Sequence, residues 1–171
     1  NRHITPEAAA AIIDELPPYL LTVGIVVNLP LEEIAPLLAI VDRVKLHGEE
    51  SPEYCTAAGK RVYKALRIDT NTPPESLAAY PGEAVLIDAA VSGERGGTGC
   101  LADWQAVVRA GQSGKKIILA GGLTPENVAE AIGAVHPWAV DVSSGVEALP
   151  GKKDHERIRR FIQNAREASL A

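Results

Sequence analysis

Two short stretches of this chain have the residue types and spacing to hold a phosphate. Leu119-Ala120-Gly121-Gly122-Leu123-Thr124-Pro125-Glu126-Asn127 runs from an apolar segment through a glycine pair into a helix signal. Asp141-Val142-Ser143-Ser144-Gly145-Val146-Glu147 repeats that plan further on. Glycine lets the backbone bend and approach a ligand closely. A helix N-terminus behind the turn offers N–H groups and the positive end of a dipole. Together they make an anion site. Two such turns on successive strands near the C-terminus of an alternating chain match the phosphate site that (β/α)8 barrels build after strands 7 and 8. Phosphate is expected on backbone N–H groups near Gly121, Gly122, Ser144 and Gly145, with the Ser144 hydroxyl as an extra donor. The competing reading is a pair of ordinary glycine-rich strand-to-helix turns.

Asp88 closes the apolar run Leu86-Ile87. It stands just past a strand's C-terminal end, where barrel catalysts lie. A carboxylic acid there can donate a proton near neutral pH if burial or a nearby anion keeps it protonated. A turn cap is the other use of such an aspartate.

The elements that must position these residues alternate along the chain. Thr5-Pro6-Glu7, Ser51-Pro52-Glu53 and Thr124-Pro125-Glu126 each read as an N-cap, a proline in the first turn and an acid beside it. Behind the first, Ala9, Ile12, Ile13 and Leu16 share one helix face. Behind the third, Val128, Ala131, Ile132 and Val135 do the same, and Ile158, Phe161, Ile162 and Ala165 line a final helix from about Asp154. Strands are expected at Leu21–Val27, Arg43–Leu46, Arg61–Leu66, Ala84–Ile87, Lys116–Ala120 and Ala139–Val142. They are short and mostly continuous in hydrophobicity, as strands buried on both faces should be. Helices between them imply parallel βαβ units. Six strands suit either an open doubly wound sheet or a (β/α)8 barrel without its first strand, first helix and second strand.

Composition narrows the function. The 171 residues are 46% apolar, which supports one domain with a largely aliphatic core. The formal charge of −5 is mixed along the chain with no basic block, which argues against a nucleic-acid surface. No run approaches membrane length, and no signal peptide is visible. Cys55 and Cys100 form neither a disulfide framework nor a metal pattern, so a cytoplasmic setting is expected. The chain has no methionine and opens directly on a helix signal, so its natural beginning is expected to lie upstream.

Several motifs fall in a specific order. They are Val23-Gly24-Ile25-Val26-Val27-Asn28, Lys45-Leu46-His47-Gly48-Glu49-Glu50, Lys64-Ala65, Leu86-Ile87-Asp88, Gly96-Gly97-Thr98-Gly99 and Asp103-Trp104. The two phosphate turns and Pro150-Gly151-Lys152-Lys153-Asp154 complete the set. In this order they resemble phosphoribosylanthranilate isomerases of tryptophan biosynthesis, across essentially the whole chain. The resemblance implies one α/β domain over residues 1–171, a (β/α)8 TIM barrel from about its second to its eighth helix, incomplete at the N-terminus.

The implied reaction is an Amadori rearrangement of N-(5-phosphoribosyl)anthranilate to 1-(2-carboxyphenylamino)-1-deoxyribulose 5-phosphate. It needs a general acid at the ring oxygen and a general base at C2. The resemblance makes Asp88 the acid. It gives Arg2 the substrate's anthranilate end, where a guanidinium suits a carboxylate. It puts Asp141 against the sugar, and His47 looks into the pocket, with packing or indirect support as its alternative role. The family's base is a cysteine on the first strand, which this sequence does not contain. Cys55 reads as a packing residue inside a helix, and Cys100 follows a glycine turn where the family often has lysine. Lys45 departs from the glutamine common at its position. Neither a metal nor an organic cofactor is implied. The expected partner is a small phosphorylated substrate, with no nucleic acid and no membrane, and a homodimer is the open oligomeric option. The alternative function is an impaired fragment that binds a phosphoribosyl ligand without turnover. Such a fragment would expose strand edges and tend to aggregate or pair through the gap.

Overall fold

A computed structural model of the chain describes residues 2–69, 71–89 and 104–170. They fall into two compact units, one of Arg2–Ala65 with Ala79–Glu83 and one of Leu66–Ala78 with Ala84–Ala171.

The first unit alternates helix and strand in chain order: α1 (Pro6–Asp14), β1 (Val23–Val26), α2 (Leu31–Leu37), β2 (Arg43–Leu46), α3 (Pro52–Ala58) and most of β3 (Val62–Arg67), whose Leu66 and Arg67 count with the second unit. The expected caps are in place. Thr5 Oγ1 accepts from the Ala8 N–H at 3.2 Å, and Ser51 Oγ accepts from the Tyr54 N–H at 3.2 Å. Pro6 and Pro52 occupy the first turns, where a missing N–H costs nothing. The strands pair in parallel, Ile25 beside Lys45 and Lys45 beside Tyr63. Val44, Leu46 and Val62 pack with Ile34, Leu38 and Cys55 of the helical layer. Because strand side chains alternate between faces, Lys45 turns to the face opposite Val44 and Leu46. Ala9, Ile12 and Ile13 of the expected stripe lie on α1, Leu16 falls beyond its end, and no residue of that helix is buried. Its periodicity marks a packing face, and among the described residues no layer closes over that face.

The second unit continues the alternation with α4 (Pro74–Ala78), β4 (Ala84–Asp88), α5 (Trp104–Ala110), β5 (Lys116–Ala120), α6 (Val128–Val135) and β6 (Ala139–Val140). After these come a two-strand hairpin, β7 (Glu147–Leu149) with β8 (Lys152–Lys153), and α7 (His155–Ala168). β4, β5 and β6 are parallel, with Asp88 beside Ala120 and Leu119 beside Val140. Val85, Leu86, Ile87 and Leu119 have no exposed surface, as both-face burial requires. Phe161 anchors α7, while Ile162 on the same expected stripe stays 45% exposed. Asp154 caps α7, its carboxylate accepting from the Glu156 and Arg157 N–H groups at 2.9 and 3.1 Å. The hairpin has no counterpart in the expected elements. Its strands are mostly exposed and lack an apolar alternation, so only the Pro150-Gly151 turn signals it.

Burial ranks the apolar positions. Leu119→Ala is expected to cost about 2–5 kcal/mol, the range for emptying a core leucine site. Ile162→Ala should cost about 1 kcal/mol or less, because much of its side chain already meets water. Urea unfolding of both variants checks the order, and equal losses would refute it.

Candidate active site

In the second unit, three strand ends and two turns meet. β4 ends at Asp88, and the next residue, Ala89, donates its N–H to the Ala120 carbonyl at 3.0 Å. On the other side of β5, the Asp141 N–H donates to the Leu119 carbonyl at 2.8 Å. Asp88 and Asp141 therefore flank the end of β5, and both are half-buried. Neighbouring strands lie about 4.8 Å apart, so the two backbones are about 10 Å apart, the width of a small sugar with its first contacts.

β5 runs straight into Gly121 and Gly122, whose φ values of +91° and +66° lie in the left-handed region. The Thr124-Pro125-Glu126 signature predicts a helix start at that point, yet α6 begins at Val128. Asn127 explains the delay. Its Oδ1 accepts from the Thr124 N–H at 2.7 Å and its Nδ2 donates to the Gly122 carbonyl at 3.0 Å. The side chain thus closes Gly122–Asn127 into a turn before the helix can begin.

The second turn is a single 3-10 turn, Ser144–Val146, and it sits against the first. A Cβ on Gly145 would collide with the Leu123 carbonyl oxygen, so only glycine fits that contact. Polar groups behind the turn hold it there. Lys153 Nζ donates to the Ser143 carbonyl at 2.8 Å and pairs with the buried Glu147 carboxylate at 3.2 Å. Arg157 donates to the Glu147 carbonyl at 3.1 Å. Gly122 and Ser144 are exposed, while Gly121 and Gly145 are half-buried. The four expected phosphate residues thus belong to two adjoining turns beside Asp88 and Asp141.

Arg2 and His47 belong to the first unit. Arg2 is exposed in the segment before α1. His47 stands directly after the last residue of β2, is half-buried, and donates its N–H to the Val26 carbonyl at 2.8 Å. Cys55 is 2% exposed in α3, and burial pushes its thiol up, against a smaller downward pull from Lys64. A thiol so placed is a packing group. Cys100, Gly96-Gly97-Thr98-Gly99 and Asp103 lie outside the described residues. No group of three or more possible metal ligands occurs among the described residues, and no described helix is long and apolar enough to cross a membrane.

The largest feature without a role from the sequence is a buried ion pair beside His47. Lys64 Nζ lies 3.3 Å from Glu50 Oε2, with side chains 3% and 2% exposed. Burial pushes the Glu50 carboxyl up, but backbone N–H donors, the Asn28 N–H foremost, and the Lys64 ammonium outweigh it and hold it below the usual carboxylate range. A sequence signal existed, a lysine interrupting the apolar run Val62–Leu66 and an acid two residues past His47-Gly48.

Comparison with known proteins identifies the family. The family profile described as N-(5'phosphoribosyl)anthranilate (PRA) isomerase matches residues 1–164. The N-(5'-phosphoribosyl)anthranilate isomerase of Pelobacter propionicus is 48% identical over 169 residues, covering 97% of this chain and 80% of its own length. The crystal structure of the Thermotoga maritima phosphoribosyl anthranilate isomerase superposes with a TM-score of 0.84 at 39% identity, over 96% of this chain and 82% of that one. A phosphoribosyl anthranilate isomerase solved with reduced 1-(o-carboxyphenylamino)-1-deoxyribulose 5-phosphate gives 0.82 at 38% identity, over 96% and 81%. The α/β fold is accordingly of the barrel class that the resemblance implied, and the chain belongs to the N-(5'-phosphoribosyl)anthranilate isomerase family.

Proposed function

We propose that this chain catalyses the Amadori rearrangement of N-(5'-phosphoribosyl)anthranilate, with its phosphate held between the Gly121-Gly122 and Ser144-Gly145 turns and Asp88 as general acid. The observation that carries the reading is the seating of Gly145 on the Leu123 carbonyl, which joins the two turns beside the ends of β4, β5 and β6. Backbone N–H groups then face one anion from two directions, and the Ser144 hydroxyl adds a donor. The whole chain is read as one barrel domain, in keeping with relatives that match over nearly its full length.

With the phosphate fixed, the ribose spans the gap between Asp88 and Asp141. Asp88 gives its proton to the furanose ring oxygen as the C1–O bond breaks, and the nitrogen lone pair forms the iminium. A general base, which none of the residues assigned here supplies, would accept the C2 proton, and the C2–H electron pair then moves toward the iminium to give an enolamine. Protonation at C1 and loss of the hydroxyl proton at C2 complete the ketone, so the conversion is redox-neutral overall. Asp141 holds the sugar, His47 binds substrate, and Arg2 takes the anthranilate carboxylate. The cysteine that the family uses as base has no counterpart among these assignments, because the sequence holds only Cys55 and Cys100.

Asp88→Asn in the full-length protein is expected to lower kcat by about 10²–10⁴-fold, the usual worth of a positioned acid, while binding of the reduced product analogue persists. A variant turning over within about threefold of the parent removes Asp88 from the mechanism, since a positioned acid is worth far more. Unmodified full-length protein that binds the analogue but never turns over is instead the ligand-binding remnant.

Gly145→Ala tests the phosphate seat. The added methyl must push the turn off Leu123, so KM should rise at least about tenfold, as loss of one or two charge-assisted hydrogen bonds requires. Competition by ribose 5-phosphate should weaken in parallel. An unchanged inhibition constant places the phosphate elsewhere.

A further inference from the structure

The Glu50–Lys64 pair is buried, charged and outside the steps described above, and several of its bonds fall on the residues either side of His47. Lys64 Nζ donates to the carbonyl oxygens of Leu46 at 3.3 Å, Gly48 at 2.8 Å and Ala65 at 2.6 Å. Glu50 Oε1 accepts from the Asn28 N–H at 2.8 Å, and Oε2 accepts from the Gly48 N–H at 2.9 Å. His47 stands between Leu46 and Gly48. The Leu46–His47 peptide is held at its oxygen by Lys64 and at its nitrogen by the Val26 carbonyl. The next peptide is held through the Gly48 N–H by Glu50. Both torsions of His47 are thereby fixed by groups around the end of β2.

Two further observations mark this corner as constrained. Asn28 sits at φ +51°, an uncommon conformation for a residue with a side chain. Its Oδ1 accepts from the Glu49 N–H at 2.7 Å, which ties the end of β1 to the turn after His47. A Cβ on Gly48 would collide with that same Asn28 side chain, so glycine is required there. Burying two charges costs several kcal/mol per ion before pairing repays it, and an apolar pair of similar volume is often as stable. Core filling alone therefore gives this pair no advantage. Backbone outliers held by surrounding structure cluster at functional sites, and this one lies at the C-terminal strand ends.

We propose that Glu50 and Lys64 are positioning residues, which lock Leu46–Gly48 so that the His47 imidazole is presented to substrate in one orientation. The inference rests on the reading that His47 contacts substrate. Alternation carries the side chain to the face opposite Leu46, whose own side chain packs in the helical layer.

The test is a mutant cycle in the full-length protein, measured well below the unfolding temperature. His47→Ala, Glu50→Gln and Lys64→Met should each raise KM about tenfold, with kcat changed less. Adding Glu50→Gln to His47→Ala should raise KM no further, because the pair acts through the imidazole. A purely structural pair would lower stability in Glu50→Gln yet leave KM alone, or add its effect fully to that of His47→Ala, and either result overturns the proposal. If Glu50→Gln does not fold, Glu50→Asp keeps the charge, shortens the reach, and should raise KM in the same non-additive way. A silent His47→Ala overturns the substrate contact and this inference together. A raised KM in His47→Ala with silent Glu50 and Lys64 variants overturns the positioning alone.

Discussion

The parallel direction of the strands is the constraint on which the rest of each unit depends. Parallel strands return through a helix, which favours short apolar strands; β2 and β4 are mostly buried, whereas β1 keeps Val23 and Ile25 exposed. Their C-terminal ends then lie along one edge of the sheet, and the loop that leaves each strand is collected there without any further design. In the second unit that edge carries Asp88, Gly121-Gly122 and Asp141 in successive order across β4, β5 and β6. In the first unit it carries Asn28 after β1 and His47 after β2, and Lys64 of β3 reaches the Gly48 carbonyl there. Residues far apart in the chain become neighbours because the ladder leaves them no other place.

The edge is polar backbone, and each loop needs partners for its N–H and C=O groups. The chain supplies them with side chains of its own. Asn127 closes the first turn, Lys153 and Arg157 hold the second, and Glu50 with Lys64 hold the turn after β2. Each device fixes backbone beside a position read as functional. A loop held in this way loses little freedom when a ligand arrives, which is how preorganisation strengthens binding without new contacts.

Legibility in the sequence depended on the range of the forces involved. β2 and β5 have the expected bounds because apolar runs ended by a change of residue type encode them locally. The caps at Thr5 and Ser51 are equally local, a hydroxyl reaching an N–H three residues on. The same signature misleads at Thr124, where Asn127 competes for the turn and moves the helix start to Val128. The hairpin after the second turn leaves only its Pro150-Gly151 turn in the sequence, since exposed strands of two or three residues carry no periodicity. The seating of Gly145 on Leu123 and the Glu50–Lys64 pair are beyond reach for a different reason. Both join separate strands and loops, and only the fold brings them together. The glycines and charges are readable as residues, but their partners are not.

Charge shows why the site must be local. The chain carries a net charge of −5, so its overall field opposes a phosphorylated, carboxylated substrate. In the proposed phosphate seat, backbone N–H groups meet this opposition locally, without added cations. Lysine fits the same economy: Lys64 and Lys153 are bound to carbonyls and carboxylates within the protein. Their charge sets the shape of turns. Free cations at the site would attract any anion, whereas the proposed seat of two glycine turns would select one by size and reach. On the proposed reading, selectivity for a sugar phosphate rests on the distance between that seat and the carboxylates at the neighbouring strand ends, and the parallel ladder sets the spacing of those strand ends.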